Sequence, residues 1–163
     1  MFCLKCGAKL IDKLMDGNVR QACPSCNFVH WKNPTPIAGV ILEHNEKVLL
    51  VQRRIDPPDR YALIAGFIEE FESAEGAALR EVKEEVGLDA AVMGIVGTYS
   101  CQAIALNAVF IVMHCCAVSD QLKLGEELTD MKHFPHDALP HYPSHFPIGQ
   151  AFRDWRATGS DMC

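Results

Sequence analysis

The chain has 163 residues, 49% hydrophobic and 22% charged, with a net charge of −6. Those values fit a globular protein made of one ordinary domain, or of a small domain joined to a very small one. They exclude a membrane helix, since no apolar run approaches the roughly 20 residues it needs, and a uniformly acidic surface would make a poor non-specific binder of nucleic acid.

The opening MFCLKCGAKL has neither the apolar core nor the small-residue cleavage site of a signal peptide, so the expected location is the cytoplasm. Cys3-Leu-Lys-Cys6 and Cys23-Pro-Ser-Cys26 form two C-x2-C pairs with sixteen residues between them. Each pair is a tight turn that aims two thiolates at one point, and two such turns supply the tetrahedral sulfur set that suits Zn²⁺. A segment of this size buries too little apolar surface to fold unaided, so the metal has to supply the folding energy. Four thiolates leave no open coordination position, which makes the site structural, and His30 would be a redundant fifth ligand. Residues 1–32 are therefore read as a zinc ribbon and 33–163 as the second domain. The prolines of His30-Trp31-Lys32-Asn33-Pro34-Thr35-Pro36 favour an extended joint, with Trp31 expected to pack the ribbon onto the second domain. Lys5, Lys9, Lys13, Arg20 and Lys32 against Asp12 and Asp16 give residues 1–32 a charge of +3, which leaves −9 on the rest. The basic end reads as a solvated face, with RNA contact as the alternative.

In the second domain, Ile37–Leu42 and Val48–Gln52 predict a hairpin across the polar turn Glu43-His-Asn-Glu-Lys47. Arg53 and Arg54 leave the second strand, residues 56–59 form a loop, and Tyr61–Ala65 predict a short strand ending at Gly66. Residues 73–86 predict a helix, with Ser73 as N-cap, Glu75 in the first turn and Gly87 just past the end. Ala78, Val82 and Val86 share its core stripe, with Leu79 beside them. Glu81, Glu84 and Glu85 fall on the neighbouring arc. Three carboxylates this close destabilise an isolated helix. A divalent cation resolves the conflict, and oxygen-only ligands suit Mg²⁺ or Mn²⁺. A solvated acidic face is the competing reading. Val109–Met113 predicts a buried strand and Gln150–Trp155 a terminal helix. His133, His136, His141 and His145 lie among prolines and read as a surface loop rather than a second metal site. Cys101, Cys115, Cys116 and Cys163 show no paired spacing and are expected as free thiols, Cys115 and Cys116 as small buried hydrophobes.

The run Gly66-x5-Glu72-x7-Arg80-Glu81-Val82-x-Glu84-Glu85-x-Gly87-Leu88 resembles the Nudix box at each of the nine positions it fixes over twenty-three residues. The resemblance implies an α/β fold, an α/β/α sandwich around a mixed sheet, and hydrolysis of a nucleoside diphosphate linked to another moiety. It makes Glu81, Glu84 and Glu85 metal-binding residues joined by the carbonyl of Gly66. It makes Glu72 and Arg80 the pair that holds the box loop against the helix. A further acid usually comes from a distant loop. Gly125–Phe134 resembles that stretch, with Glu127 the first choice and Glu126 the second. Either could equally be loop charge.

A zinc ribbon ahead of such a domain, with Ala65-Gly-Phe-Ile-Glu69, resembles the NADH pyrophosphatases and the ADP-ribose or FAD pyrophosphatases, which are often dimers. Tyr99–Asn107 lacks the prolines and aromatics that NADH pyrophosphatases carry after the box, so the resemblance implies the broader class of ADP-ribose, FAD or NAD(H). Phe67, Tyr99 and Phe110 are candidate adenine-stacking residues, with ordinary core packing as the alternative. Decapping of RNA bearing a 5′ NAD-type cap and non-catalytic nucleotide sensing or nucleic-acid binding are the rival functions.

Overall fold

The computed structural model describes residues 1–101, 107–143 and 146–158. Contacts divide the chain into two compact units, Met1–Asn33 and Pro34–Cys163. In the first, β1 (Ile11–Met15), β2 (Asn18–Ala22) and β3 (Val29–His30) form an antiparallel sheet. Its core is small: Cys3, Leu10 and Cys23, with Ala8, Cys26 and Phe28 against them. Trp31 is half-exposed and stacks under the Arg20 guanidinium of its own unit, 4.3 Å from the ring centre.

The second unit contains β4 (Thr35–His44), β5 (Lys47–Arg53), β6 (Ile64–Phe67), α1 (Ala74–Val86), β7 (Ala90–Cys101), β8 (Ala108–Ala117), β9 (Leu128–Phe134) and α2 (Pro147–Ala157). The sheet order is β7-β8-β4-β5-β9, with β6 pairing β4. β4 runs parallel to β8 and antiparallel to β5 and β6, so the sheet is mixed. The central strands β4, β5 and β8 carry runs buried on both faces, whereas β7 and β9 are largely open to solvent. Ala38, Val40 and Leu42 of β4 and Met113 and Cys115 of β8 pack with Ala78, Val82 and Val86 of α1. Ile41 and Val112 turn the other way, toward Ala151, Phe152 and Trp155 of α2. The result is the α/β/α sandwich that the resemblance implies. No helix of the described residues is long and apolar enough to cross a membrane.

Several expectations need correction. Glu43 and His44 are not turn residues: they are the buried end of β4, and the turn is only Asn45-Glu46, both at positive φ. The strand expected at Tyr61–Ala65 is shifted: β6 runs Ile64–Phe67, past Gly66, and ahead of it Ala62 makes only a lone bridge to Val51. Cys116 is disulfide-bonded rather than a free thiol. Cys115 is free and buried, and burial pushes its thiol up to about 12. His133 belongs to β9, where its Nε2 lies 2.8 Å from His44 Nδ1, so it is not on a loop. Residues 102–106, His145 and Cys163 lie outside the described residues.

Candidate active site

The box begins in β6 and ends in α1. Ser73 caps the helix by accepting from the Gly76 N–H at 3.0 Å, and Gly87, at φ 75, closes it through its N–H to the Lys83 carbonyl. These caps fix the phase that carries Ala77, Ala78, Val82 and Val86 into the core. At about 100° per residue, that phase puts Glu81, Glu84 and Glu85 on the flank turned to the sheet edge.

Arg80 organises the loop. Its Nε and Nη2 donate to the two Glu72 oxygens at 2.8 and 2.9 Å, a bidentate pair. Nη2 also donates to the Phe67 carbonyl at 2.9 Å, while Nη1 reaches Glu81 Oε1 at 2.5 Å and Glu84 Oε2 at 3.1 Å. Glu72 accepts from the Glu69 N–H as well. Its hydrogen bonds from Arg80 and Glu69 pull its carboxyl down to about 2. The loop so held carries Phe71, fully exposed at φ 66, a backbone region that is costly for a bulky residue.

The three glutamates differ in setting. Glu84 is largely exposed, Glu81 mostly covered, and Glu85 buried. Glu81 lies so close to Gly66 that a Cβ there would fall 1.9 Å from its Oε1 and 2.1 Å from its carboxyl carbon. Only glycine permits that approach. Burial pushes Glu85 up to about 7, and the Arg53 guanidinium opposes the shift. Glu85 Oε1 accepts from Arg53 Nη2 at 2.7 Å, whereas its Oε2 is buried with no hydrogen bond among the described residues. A buried carboxylate oxygen without a donor is what a cation ligand looks like before its ion is supplied.

A cleft of about 710 Å³ opens over these residues, lined by Gly66, Phe67, Glu69, Glu81, Glu84 and Glu85. Gly125, Glu126, Glu127 and Leu128 line it as well, the Gly125 N–H donating to the Glu85 carbonyl at 2.8 Å, with Ile37, Arg53, Ile55, Ala65 and Phe110 completing it. Six carboxylates thus face one guanidinium. Their mutual repulsion makes the cleft a site for cations and, through them, for phosphates. Glu126 and Glu127 are both exposed on its rim. Phe67 and Phe110 line it. Tyr99 does not: it is buried against α2, its hydroxyl donating to Asp154 at 2.9 Å, and so is core rather than a stacking surface.

Arg53 is the residue that sequence reasoning passes over. Besides Glu85, it donates to the carbonyls of Leu63 and Ala65 at 3.2 and 3.0 Å, tying the end of β5 to β6 and α1. The available signal is strand alternation: in Gln52-Arg53-Arg54 the two arginines point to opposite faces. Arg54 turns instead to the Glu126 carbonyl at 2.8 Å.

In the first unit, Cys3 Sγ and Cys26 Sγ are 3.6 Å apart, and Cys6 Sγ and Cys23 Sγ 3.4 Å. All four ligand atoms lie within 4.8 Å of one another. Tetrahedral thiolates about 2.3 Å from a zinc ion sit roughly 3.8 Å apart, so the set fits zinc with little adjustment. The two pairs are near-copies of each other. Gly7 and Asn27 take positive φ after each and donate to the Cys3 and Cys23 carbonyls, while Cys3 and Cys23 donate to the Ala8 and Phe28 carbonyls. Burial opposes ionisation of Cys23, but the N–H groups of Ser25 and Cys26 overcome it and bring the thiol down to about 6.

Residues 33–154 match the NUDIX domain family model, and the chain belongs to the Nudix family. It is 29% identical to a Pseudomonas aeruginosa NAD-capped RNA hydrolase, NudC, across 94% of this chain and 54% of that one. The chain therefore spans about half the length of that relative. It is 31% identical to an ADP-ribose pyrophosphatase of Methanocaldococcus jannaschii, covering 68% of this chain and 67% of the other. A crystal structure of a NUDIX hydrolase from Nitrosomonas europaea matches with a TM-score of 0.77 and 27% identity, over 96% of this chain and 92% of that one.

Proposed function

We propose that the chain hydrolyses the pyrophosphate bond of a nucleoside diphosphate derivative, ADP-ribose, FAD or NAD(H), giving two phosphomonoesters. The observation that carries the reading is the acidic cleft in which Glu85 Oε2 is buried without a hydrogen bond among the described residues, beside Glu81 and Glu84. Mg²⁺ or Mn²⁺ would be held by Glu81, Glu84, Glu85, the carbonyl of Gly66 and, from the loop before β9, Glu127. When bound, such ions neutralise the diphosphate and acidify a water. The chain's own residues do the rest. Arg80 and Glu72 fix the loop and orient Glu81 and Glu84. Arg53 holds Glu85 from behind. A glutamate of the cluster takes the proton from the attacking water, and Phe67, half-exposed on the cleft wall, offers a face to a base. Cys3, Cys6, Cys23 and Cys26 would hold a structural Zn²⁺.

The test is a panel of NADH, NAD, ADP-ribose, FAD, diadenosine polyphosphates and nucleoside triphosphates with Mg²⁺ or Mn²⁺. Cation-dependent release of two monophosphates from at least one dinucleotide is expected, and no turnover of any would overturn the proposal. A second reading, removal of a 5′ NAD-type cap from RNA, is supported by the NudC relative and the +3 charge of residues 1–32. It predicts faster hydrolysis of a capped oligonucleotide than of free NAD, an advantage that added salt abolishes. A cytoplasmic homodimer is the accompanying expectation, and light scattering tests the dimer.

A further inference from the structure

A second pocket lies within the Pro34–Cys163 unit and shares no lining residue with the acidic cleft. Its volume is about 370 Å³, and it is formed between α2 and the segment that follows β9. Gly149, Arg153 and Arg156 line it from one face of α2, four and three residues apart. A Cβ at Gly149 would fall 2.7 Å from the Pro143 carbonyl oxygen and 2.9 Å from that of Tyr142, so glycine is what lets residues 142–143 close against the helix. The Phe146 N–H, donating to the Pro143 carbonyl at 2.9 Å, adds a second tie. The Tyr142 hydroxyl donates to the Tyr61 carbonyl, and its ring packs against Phe152 with centres 5.8 Å apart. Leu139, Tyr142 and Phe152 make an apolar wall, and His141, Arg153 and Arg156 bring the charge.

That charge runs against its surroundings. Residues 33–163 carry −9, yet among the described residues no carboxylate lines this pocket, while two guanidiniums and an imidazole do. Like charges three residues apart on a helix repel each other, and the protein offers these two little relief. Among the described residues Arg153 has Asp154 at 3.7 Å, a carboxylate whose other oxygen accepts from the Tyr99 hydroxyl. Arg156 donates to the His136 carbonyl, which carries no charge to match its own. An anion between the two arginines removes the repulsion, and guanidinium forks match the oxygens of a phosphate. The apolar wall beside them calls for more than a bare phosphate, since an aromatic base can lie on it. We propose that this pocket binds a nucleoside monophosphate, its phosphate at Arg153 and Arg156 and its base against Leu139, Tyr142 and Phe152. Small-molecule pockets span roughly 300–1,000 Å³. At about 370 Å³ this one has the size for one nucleotide, whereas the cleft of about 710 Å³ has room for two. The assignment does not depend on what the cleft hydrolyses, although dinucleotide cleavage would release a ligand of this class.

Binding measured without divalent cations isolates this pocket, because the carboxylates of the cleft then repel phosphate. The experiment is equilibrium dialysis of AMP, adenosine and inorganic phosphate against the full-length chain with Mg²⁺ and Mn²⁺ omitted. AMP should bind at one site per chain, at least tenfold more tightly than adenosine or phosphate, and less tightly as salt is added. Arg153→Gln combined with Arg156→Gln, both at exposed positions, should weaken AMP at least tenfold with an unchanged circular dichroism spectrum. Glu84→Gln, in the cleft, should leave AMP binding as in wild type. If the double variant does not fold, photolabelling of the wild-type chain with 8-azido-AMP decides, and the label should fall on peptides carrying Tyr142 or Phe152. No saturable binding up to millimolar AMP, equal affinity for phosphate and AMP, or label confined to residues 66–85 would overturn the proposal. Turnover plays no part in any readout, so the outcome is separate from that of the substrate panel.

Discussion

Gly66→Ala is a demanding test of the cleft, because one methyl group tells whether the Glu81 carboxylate has to be where it is. The added Cβ would meet Glu81 Oε1 at 1.9 Å, and real Cβ contacts essentially never fall below 3.0 Å, so the carboxylate has to retreat by about 1 Å. The backbone need not move: Gly66 sits in β6 opposite Ala38, in a conformation alanine accepts. A misplacement of this size at a reacting centre costs on the order of 100-fold in rate, which is about 2.7 kcal/mol of activation free energy. The stability change should be smaller. The displaced carboxylate weakens one charge-assisted bond to Arg80, worth about 1.5–3 kcal/mol. Arg80 keeps its Glu72 and Phe67 partners, and the alanine recovers about 0.4–1 kcal/mol through the unfolded chain. For a domain of this size the net loss lowers the melting temperature by about 2–8 °C. The assay is kcat over a Mg²⁺ titration beside a thermal melt. Wild-type turnover and Mg²⁺ dependence in Gly66→Ala would refute the reasoning, since Glu81 would then have no business beside the reacting phosphates.

Glu84→Gln should abolish turnover yet change stability by less than about 0.5 kcal/mol, as for other exposed positions, because its side chain is 60% exposed. A chemical denaturation curve beside the activity assay checks both halves. Glu72→Gln should lower stability at neutral pH and leave it unchanged at the acid end of the profile. The folded pKa of Glu72 lies at about 2 against an ordinary 4.5, so its contribution is present above pH 4.5 and fades as the pH falls toward 2. The difference between wild type and variant should therefore be constant above pH 5 and close by pH 2, and a difference that grows as the pH falls would reverse the sign. Chelation, or Cys23→Ser, should melt residues 1–33 and leave 34–163 folded. Amide exchange should then show lost protection in β1 and β2 but not in β4 or β8.

The box helix is legible in the sequence because its signals agree: a serine cap, an apolar stripe of period 3.6 and a glycine at the end. The two cysteine pairs are legible because so little else would hold that unit together. Other features escape for identifiable reasons. Glu43-His-Asn-Glu-Lys47 is polar throughout and reads as a turn, yet two of its members are buried, because the hairpin needs only Asn45 and Glu46. β7 is not anticipated: bulges at Val92/Gly94 and Ile95/Gly97 break the alternation that marks a strand. Tyr99 is left open between stacking and core because an aromatic in an apolar run does not reveal which face it takes, and its contact with Asp154 spans 55 positions. Arg53 is missed because its partners lie 10, 12 and 32 residues away, and strand alternation separates it from Arg54 without naming those partners.

The Arg53 fork has a consequence for how the cleft can change. By pinning the carbonyl of Leu63 just ahead of β6, that of Ala65 within it, and Glu85 with a single nitrogen, it makes the floor stiff and intolerant of retuning. Ile55, 90% exposed, and Glu126 stand on the rim, outside that clamp. A library aimed at new leaving groups belongs on the rim, where side chains can be exchanged without loosening the floor.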